Sequence, residues 1–365
     1  KSSVNRPETP RPTAGGMAEG PPRPFIVPLF LPQAGCPFQC AFCNQRHISG
    51  KPRGVPESAA LRRQIERFLG YRDARRGETQ IAFYGGNFLG LEQALVEELL
   101  TLAQGYVTAG QAAGIRFSTR PDSVDARRLK WIAPFTVATI ELGVQSMNDR
   151  VLTLAHRGHS AGDTAAAMVR LKAAGYRIGA QLMVGLPGDS HARSLASGEA
   201  TARLGPDFVR IYPTLVLRGS RLALAYRRGR YAPWSLTRCV ATVKDLYCLF
   251  QARGIPIIRM GLQDAADLQD GRSVLAGPYH PAFGHLVLSE VFLDRASACL
   301  SRASAAGGTV CLRVHPRSAA RLRGHKNRNL EILRRRFDLD GIQVLPDDRL
   351  GLSAVTAERL EAPSG

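Results

Sequence analysis

A chain of 365 residues and 39.6 kDa holds one large α/β domain with an appendage, or two ordinary domains. Its 44% hydrophobic and 22% charged residues are ordinary globular proportions, and no apolar run approaches the ~18 to 20 residues of a bilayer-spanning helix, which excludes a membrane-spanning protein. The 49 Lys+Arg against 30 Asp+Glu leave a formal charge of +19 and favour a polyanionic partner, although an arginine-rich coding bias explains the same figure, since only six of the 49 are Lys.

Residues 1–24 are rich in Pro, Gly, Ser and Thr and predict a disordered tail, with Met17 just ahead of the first apolar run. From Phe25 onward short apolar runs alternate with longer helical patterns. Strands are expected at Phe25 to Leu31, Gln80 to Tyr84, Ile115 to Thr119, Val137 to Val144, Arg177 to Val184 and Phe208 to Val216. Helices are expected at Ser58 to Leu69, Leu91 to Tyr106, Ala161 to Ala174, Ala192 to Arg203 and Leu236 to Arg253, and a seventh apolar run covers Ile255 to Met260. This is the pattern of a partial (β/α)6 barrel over residues 25–262, followed by a small basic α+β extension over 263–350 and a frayed tail over 351–365.

Cysteine usage is uneven. Cys36, Cys40 and Cys43 lie within eight residues, while Cys239, Cys248, Cys299 and Cys311 are scattered. An odd number of thiols with no secretory signal ahead of them fits a reducing cytoplasm. Core packing is expected for Cys239, Cys248 and Cys299. The run Gly35-Cys36-Pro37-Phe38-Gln39-Cys40-Ala41-Phe42-Cys43 follows the first strand, at the barrel face where sites are built. Three close thiolates suit a 4Fe-4S cluster with one iron left open, because such clusters take four ligands. The alternative is zinc, for which His47 is the near candidate as a fourth ligand.

CxxxCxxC with an aromatic Phe42 after strand one resembles the radical S-adenosylmethionine (SAM) superfamily. The resemblance implies that the open iron chelates the amino and carboxylate groups of SAM. An electron donor such as flavodoxin or ferredoxin then reduces the cluster, and SAM is cleaved to methionine and a 5'-deoxyadenosyl radical. Phe83-Tyr84-Gly85-Gly86-Asn87-Phe88 is similar to the superfamily's glycine motif, whose backbone approaches the methionine amino group; a simple turn would also use two glycines. Glu141-Leu142-Gly143-Val144-Gln145-Ser146, with Arg157 twelve residues after Gln145, implies a glutamine on SAM and an arginine gripping its carboxylate. In Met183-Val184-Gly185-Leu186-Pro187-Gly188-Asp189, Val184 would pack against adenine; a βα turn explains that segment equally well. The SAM-binding set so implied is Phe42, Gly85, Gly86, Asn87, Gln145, Arg157 and Val184, and the cluster ligands are Cys36, Cys40 and Cys43.

Longer phrases resemble the Elongator catalytic-subunit family: Phe117-Ser118-Thr119-Arg120-Pro121-Asp122, Arg157-Gly158-His159-Ser160 and Val209-Arg210-Ile211-Tyr212-Pro213-Thr214. The resemblance covers about residues 25–262 and implies modification of the wobble uridine of tRNA. Two departures mark a short relative. Only about 100 residues follow Met260, too few for the acetyltransferase-like domain of ~150 residues that full-length members carry there, and the cluster loop is of a short form.

Toward the end, Leu322 to Phe337 and then Gly341 to Leu345 read helix, basic turn, helix, strand. That order, near 316–346, resembles a KH-type RNA module in which Asn327 replaces the second glycine of the GxxG clamp. A solvated amphipathic helix is the plainer reading. Tyr279 and His280, in a Gly/Pro loop, are candidate substrate-side groups. The function these features favour is RNA modification by a cytoplasmic radical SAM enzyme. The alternatives are a radical SAM enzyme acting on a small molecule such as a porphyrin, and a non-catalytic cluster-, haem- or RNA-binding protein.

Overall fold

The computed structural model describes residues 24–44, 54–71, 77–262, 273–303 and 307–360. The tail before residue 24, with Met17, and His47 lie outside the described residues. The chain forms two compact units that meet in sequence at Leu288 and Ser289. The first therefore runs beyond the expected boundary at residue 262.

That unit is built on seven parallel strands: β1 (Pro24–Phe30), β2 (Gly77–Tyr84), β3 (Gly114–Thr119), β4 (Val137–Gln145), β5 (Arg177–Val184), β6 (Phe208–Pro213) and β8 (Ile257–Met260). They pair in the order β1-β2-β3-β4-β5-β6-β8, one strand more than the six expected, and form a curled partial barrel. Between them lie α1 (Ser58–Leu69), α2 (Gln93–Thr108), α3 (Ala126–Ile132), α4 (Asp149–Leu154), α5 (Ala161–Ala173), α6 (His191–Leu204), α7 (Arg221–Arg227) and α8 (Leu236–Ala252). The sixth expected strand breaks after Pro213. Its end, β7 (Val216–Leu217), pairs instead with β9 (Val274–Ala276), and Phe283 and Val287 join the barrel core. These contacts explain why the unit extends past residue 262.

Helix starts are written in side chains. Asp125, Asn148, Ser160, Ser190, Ser220 and Ser235 each accept a backbone N–H in the first turn that follows, and Ser160 forms a reciprocal capping box with Asp163. Several of these caps stand just after a strand, so the connecting loops are short and fixed.

Strand residues alternate between two buried faces, as parallel strands under helices must. On β4, Ile140, Leu142 and Val144 are fully buried in the apolar core. Glu141, Gly143 and Gln145 occupy the opposite face, in step with Arg116 and Ser118 of β3, Gln181 and Met183 of β5, and Arg210 and Tyr212 of β6. The helix-side face carries the hydrophobic free energy of the fold, including stacked rings of Phe83, Phe88 and Phe117 at 5.0 and 4.5 Å. The inner face is polar.

Helix α9 (Phe283–Arg302) begins in the first unit, and its residues from Ser289 onward belong to the second. The second unit continues with β10 (Thr309–Val314), α10 (Ala319–Arg323), α11 (Arg328–Arg336), β11 (Gly341–Pro346) and β12 (Val355–Arg359). β10 lies parallel to β11 and antiparallel to β12, over a core that includes Phe292, Val310, Leu312, Leu322 and Leu333. The segment after Leu350 is thus not simply frayed: Val355 and Ala357 pack on this core and draw β12 into the sheet. Cys239 is buried as expected, but Cys248 is exposed, because nine residues at ~100° per residue put the two on opposite sides of α8. Cys299 is half-buried, with its Sγ 3.1 Å from the Val355 carbonyl oxygen.

Candidate cluster and cofactor site

The chain leaves β1 into a loop held against neighbouring strand ends. Leu31 and Gln33 donate their N–H groups to the carbonyls of Tyr84 and Gly85 at 2.7 and 2.9 Å, and Ala41 donates to Ala155 at 2.9 Å. Gly86 permits this approach: a Cβ there would stand 2.5 Å from the Ala34 carbonyl oxygen. The loop carries Cys36, Cys40 and Cys43, none of them in a disulfide, and all three line one cavity of about 460 Å³ at the C-terminal ends of the strands. Among the described residues, no three His, Cys, Asp or Glu side chains are gathered closely enough to hold a single metal ion.

Of the expected cofactor residues, Phe42, Gly85, Gly86, Gln145 and Arg157 line the same cavity. Arg157, only 5% exposed, points one guanidinium nitrogen at Cys40 Sγ (3.1 Å) and the other at the Gly143 carbonyl (2.6 Å). Gln145 ends β4 with φ at +64°, just past a register shift, and this turns its side chain toward the cavity. Gly143 makes room between the two: a Cβ there would come within 3.1 and 3.2 Å of the Gln145 and Arg157 side chains.

Two expected residues do not reach the cavity. Asn87 is 1% exposed and acts as a strut behind the wall. Its amide donates to the Gly35 carbonyl and Ser123 Oγ at 3.0 and 2.8 Å and accepts from Thr119 Oγ1 and the Arg120 N–H at 2.8 and 3.0 Å. Val184 points into the apolar core, and strand alternation gives its place on the cavity to Met183. Gly185, next along, is covered by Trp234 and accepts from Tyr231 Oη through its carbonyl at 2.7 Å. Asp189 pins this loop by accepting from the Gly185 N–H and Ser194 Oγ at 2.9 and 2.7 Å, and burial raises its carboxyl pKa. Tyr279 packs with Leu215 and Leu217, and His280 accepts the Ala282 N–H, so neither lines the cavity.

The barrel interior also holds groups that no motif announces. Glu141, fully buried, accepts from Tyr84 Oη, Arg116 Nη1, Gln181 Nε2 and Arg210 Nη2, each at 3.0 Å. Burial and the Glu141 charge hold the Tyr84 phenol well above its ordinary pKa, and burial raises that of Tyr212. The pull of Glu141 keeps Arg210 charged against its own burial. Arg120 grips Asp122 bidentately at 3.0 and 2.8 Å and lies 5.1 Å over the Phe38 ring. The sequence signal that could have found these residues is a lone charge inside an apolar strand, in Gly-Ile-Arg-Phe, Ile-Glu-Leu, Val-Arg-Ile and Ile-Arg-Met, since such charges are buried only when matched.

The donor set fits a thiolate-ligated cluster and an anionic cofactor group. Three soft sulfurs face one cavity, and Arg157 Nε and Arg120 Nη1 are buried guanidinium N–H groups without a hydrogen-bond acceptor, as a carboxylate-binding site would leave them. Two family models match in tandem, "Radical SAM superfamily" over residues 30–194 and "Radical_SAM C-terminal domain" over 206–292. The chain belongs to the radical SAM superfamily. It is 26% identical over 280 residues to the tRNA uridine(34) acetyltransferase of Dehalococcoides mccartyi, covering 65% of this chain and 60% of that protein. It is 29% identical over 225 residues to the heme chaperone HemW of Mycobacterium tuberculosis, covering 60% and 56%. The chain thus spans less than two thirds of the length of these curated relatives. Among solved structures, Elp3 of Methanocaldococcus infernus superposes with a TM-score of 0.55 at 20% identity over 73% of this chain and 63% of that one, a likeness of fold. The similarity to the Elongator catalytic subunits therefore holds. No described helix is long and apolar enough to cross a membrane.

Proposed function

We propose that this chain is a radical SAM enzyme acting on RNA, with the wobble uridine of tRNA as its target. Cys36, Cys40 and Cys43 would hold a 4Fe-4S cluster, and Gly85, Gly86, Gln145 and Arg157 would hold SAM. When bound, cluster and SAM supply a 5'-deoxyadenosyl radical that abstracts a hydrogen atom from the substrate. The chain's own part is to orient and to exclude water. The loop hydrogen bonds fix the thiols, the paired arginines Arg120 and Arg157 present donors to a carboxylate, and the half-enclosed cavity keeps solvent from a reactive species.

The observation that carries this reading is the convergence of the three cysteines with Gln145 and Arg157, 102 to 121 residues away in sequence from Cys36 and Cys43, on one cavity. The RNA part draws support from the tRNA uridine(34) acetyltransferase similarity and from the second unit. There α10 and α11 are joined by Gly324-His325-Lys326-Asn327, with Lys326 and Asn327 at φ +50° and +64°. Asparagine tolerates the left-handed conformation better than other non-glycine residues, so Asn327 can do the work of the second glycine of a phosphate-clamping turn. Arg323, Lys326 and Arg328 are exposed around it. Similarity to HemW favours a second reading, a protein that carries haem or acts on a small molecule.

Anaerobic reconstitution followed by SAM and dithionite tests the chemistry. Bound iron and sulfide and release of 5'-deoxyadenosine are expected, both lost in Cys40→Ala; retention of the cluster in that variant would refute the ligand assignment. Modified nucleosides in tRNA from cells with and without the gene test the substrate, and identical profiles would favour the small-molecule reading.

A further inference from the structure

We propose that the inner face of β6 and β8 forms a receptor for an oxyanion of the substrate, with Arg210 and Arg259 as its cationic partners. The proposal deepens the reading above, because it assigns the charge that the substrate brings into the cavity.

The argument begins with register. Arg210 and Arg259 are direct neighbours across β6 and β8, and both line the cavity, so two guanidinium groups stand side by side in a half-enclosed site. Like charges in such positions repel, more strongly than in open water because a half-enclosed site admits less solvent to screen them. Among the described residues, only one of the two is matched. Arg210 reaches Glu141 through Nη2 at 3.0 Å; its Nε lies 2.9 Å from the other carboxylate oxygen but off the line that a hydrogen bond needs, and is left without an acceptor. Glu141 is already shared with Arg116. No carboxylate among the described residues pairs with Arg259, whose electrostatic neighbour is the Tyr212 phenol.

The wider cavity repeats the imbalance. Arg120 is paired with Asp122 and Arg157 faces Cys40, and their remaining N–H groups are the donors assigned above to the cofactor carboxylate. What remains toward β6 and β8 is a pair of arginines with one hydroxyl, that of Tyr212, while Glu141 is bound to other groups and already takes the Tyr84 proton. Both phenols hold their protons, since burial raises their pKa values, so neither adds negative charge. Planar guanidinium forks beside a hydroxyl make the donor set that phosphates and carboxylates take. On the RNA reading the oxyanion is a phosphate of the nucleotide in the barrel; on the small-molecule reading it is a carboxylate.

Calorimetric titration of the reconstituted full chain with SAM present tests the site, using uridine 5'-monophosphate, uridine and succinate as probes on wild type and Arg259→Gln. The variant is expected to lose about tenfold in affinity for an oxyanion probe, the order of one lost charge-assisted hydrogen bond, with uridine and SAM binding unchanged. Arg259→Lys, which keeps the charge without the fork, should fall between them and guards against a folding defect in the glutamine variant. Dependence on Arg259 for the nucleotide alone supports the site and its phosphate ligand. Dependence for succinate alone supports the site and removes the RNA reading. If neither probe depends on Arg259, the receptor is overturned, even if the tRNA nucleosides change on gene deletion.

Discussion

Arginines inside the barrel and arginines on the surface of the second unit live under opposite conditions. In the barrel, Arg116, Arg120 and Arg157 are 2 to 5% exposed, and each meets a specific acceptor on Glu141, Asp122, or the Cys40 sulfur and Gly143 carbonyl. In the second unit, Arg323, Arg328 and Arg335 are exposed around a turn and along a helix. A buried guanidinium is tolerated only with matched partners, so it fixes geometry; an exposed one is screened by water and salt and leaves stability almost untouched. The 49 basic residues behind the charge of +19 therefore include one population that shapes a site and another, on the surface, that can meet a polyanion.

The sharpest way to break this contrast is Glu141→Gln. It strips the shared carboxylate from Arg116 and Arg210 and should cost about 3–5 kcal/mol in denaturant unfolding; a cost no larger than a surface change would mean that the barrel arginines are as indifferent as the exposed ones. Next comes pH. Burial first, then the Arg157 and Arg120 charges, lower the His159 pKa from 6.5 to about 4. Between those values the unfolded chain binds more protons than the native one. Stability from the neutral ring is thus complete above the unfolded pKa and lost as pH falls toward the folded one, by up to about 3 kcal/mol. The difference between wild-type and His159→Gln stability curves should show this slope, and parallel curves would contradict it.

A third change probes the loop rather than the charges. Gly86→Ala drives a Cβ into the Ala34 carbonyl and should cost about 1–3 kcal/mol while lowering iron incorporation on reconstitution. Last, the double variant Lys326→Ala with Arg328→Ala should alter the unfolding free energy by no more than about 0.5 kcal/mol. Its signature is elsewhere: the salt dependence of tRNA binding should become shallower by about 0.7 for each phosphate that the variant no longer neutralises. An unchanged slope would remove this turn from the RNA-binding surface.

The cysteine half of the candidate site was legible because its residues are contiguous. Cys36, Cys40 and Cys43 share one loop, Gly85-Gly86 and Gln145 sit at or just after strand ends that apolar runs locate, and Arg157 follows the short helix α4. Asn87 and Val184 lie off the cavity, which a motif string does not encode: Asn87 is bonded behind the wall, and Val184 and Met183 are adjacent in sequence but on opposite faces of β5. The Glu141 network was hidden for a related reason. Tyr84, Arg116, Gln181 and Arg210 come from four other strands, and only the curled sheet with its register brings them to one carboxylate. The short helices α3, α4 and α7 carry too few turns for a period to show, whereas the long periodic segments gave α1 and α8 nearly to the residue.

Gln145 offers a last consequence. Holding a non-glycine residue at φ +64° costs roughly 1–2 kcal/mol, which glycine would avoid. A search for thermostable variants would accordingly be drawn to glycine at this position, and would there exchange an aimed side chain for a higher melting temperature. On the proposed reading, position 145 is a place where durability and activity pull apart, so tolerance of glycine in growth assays would measure how much the organism needs the chemistry rather than the fold.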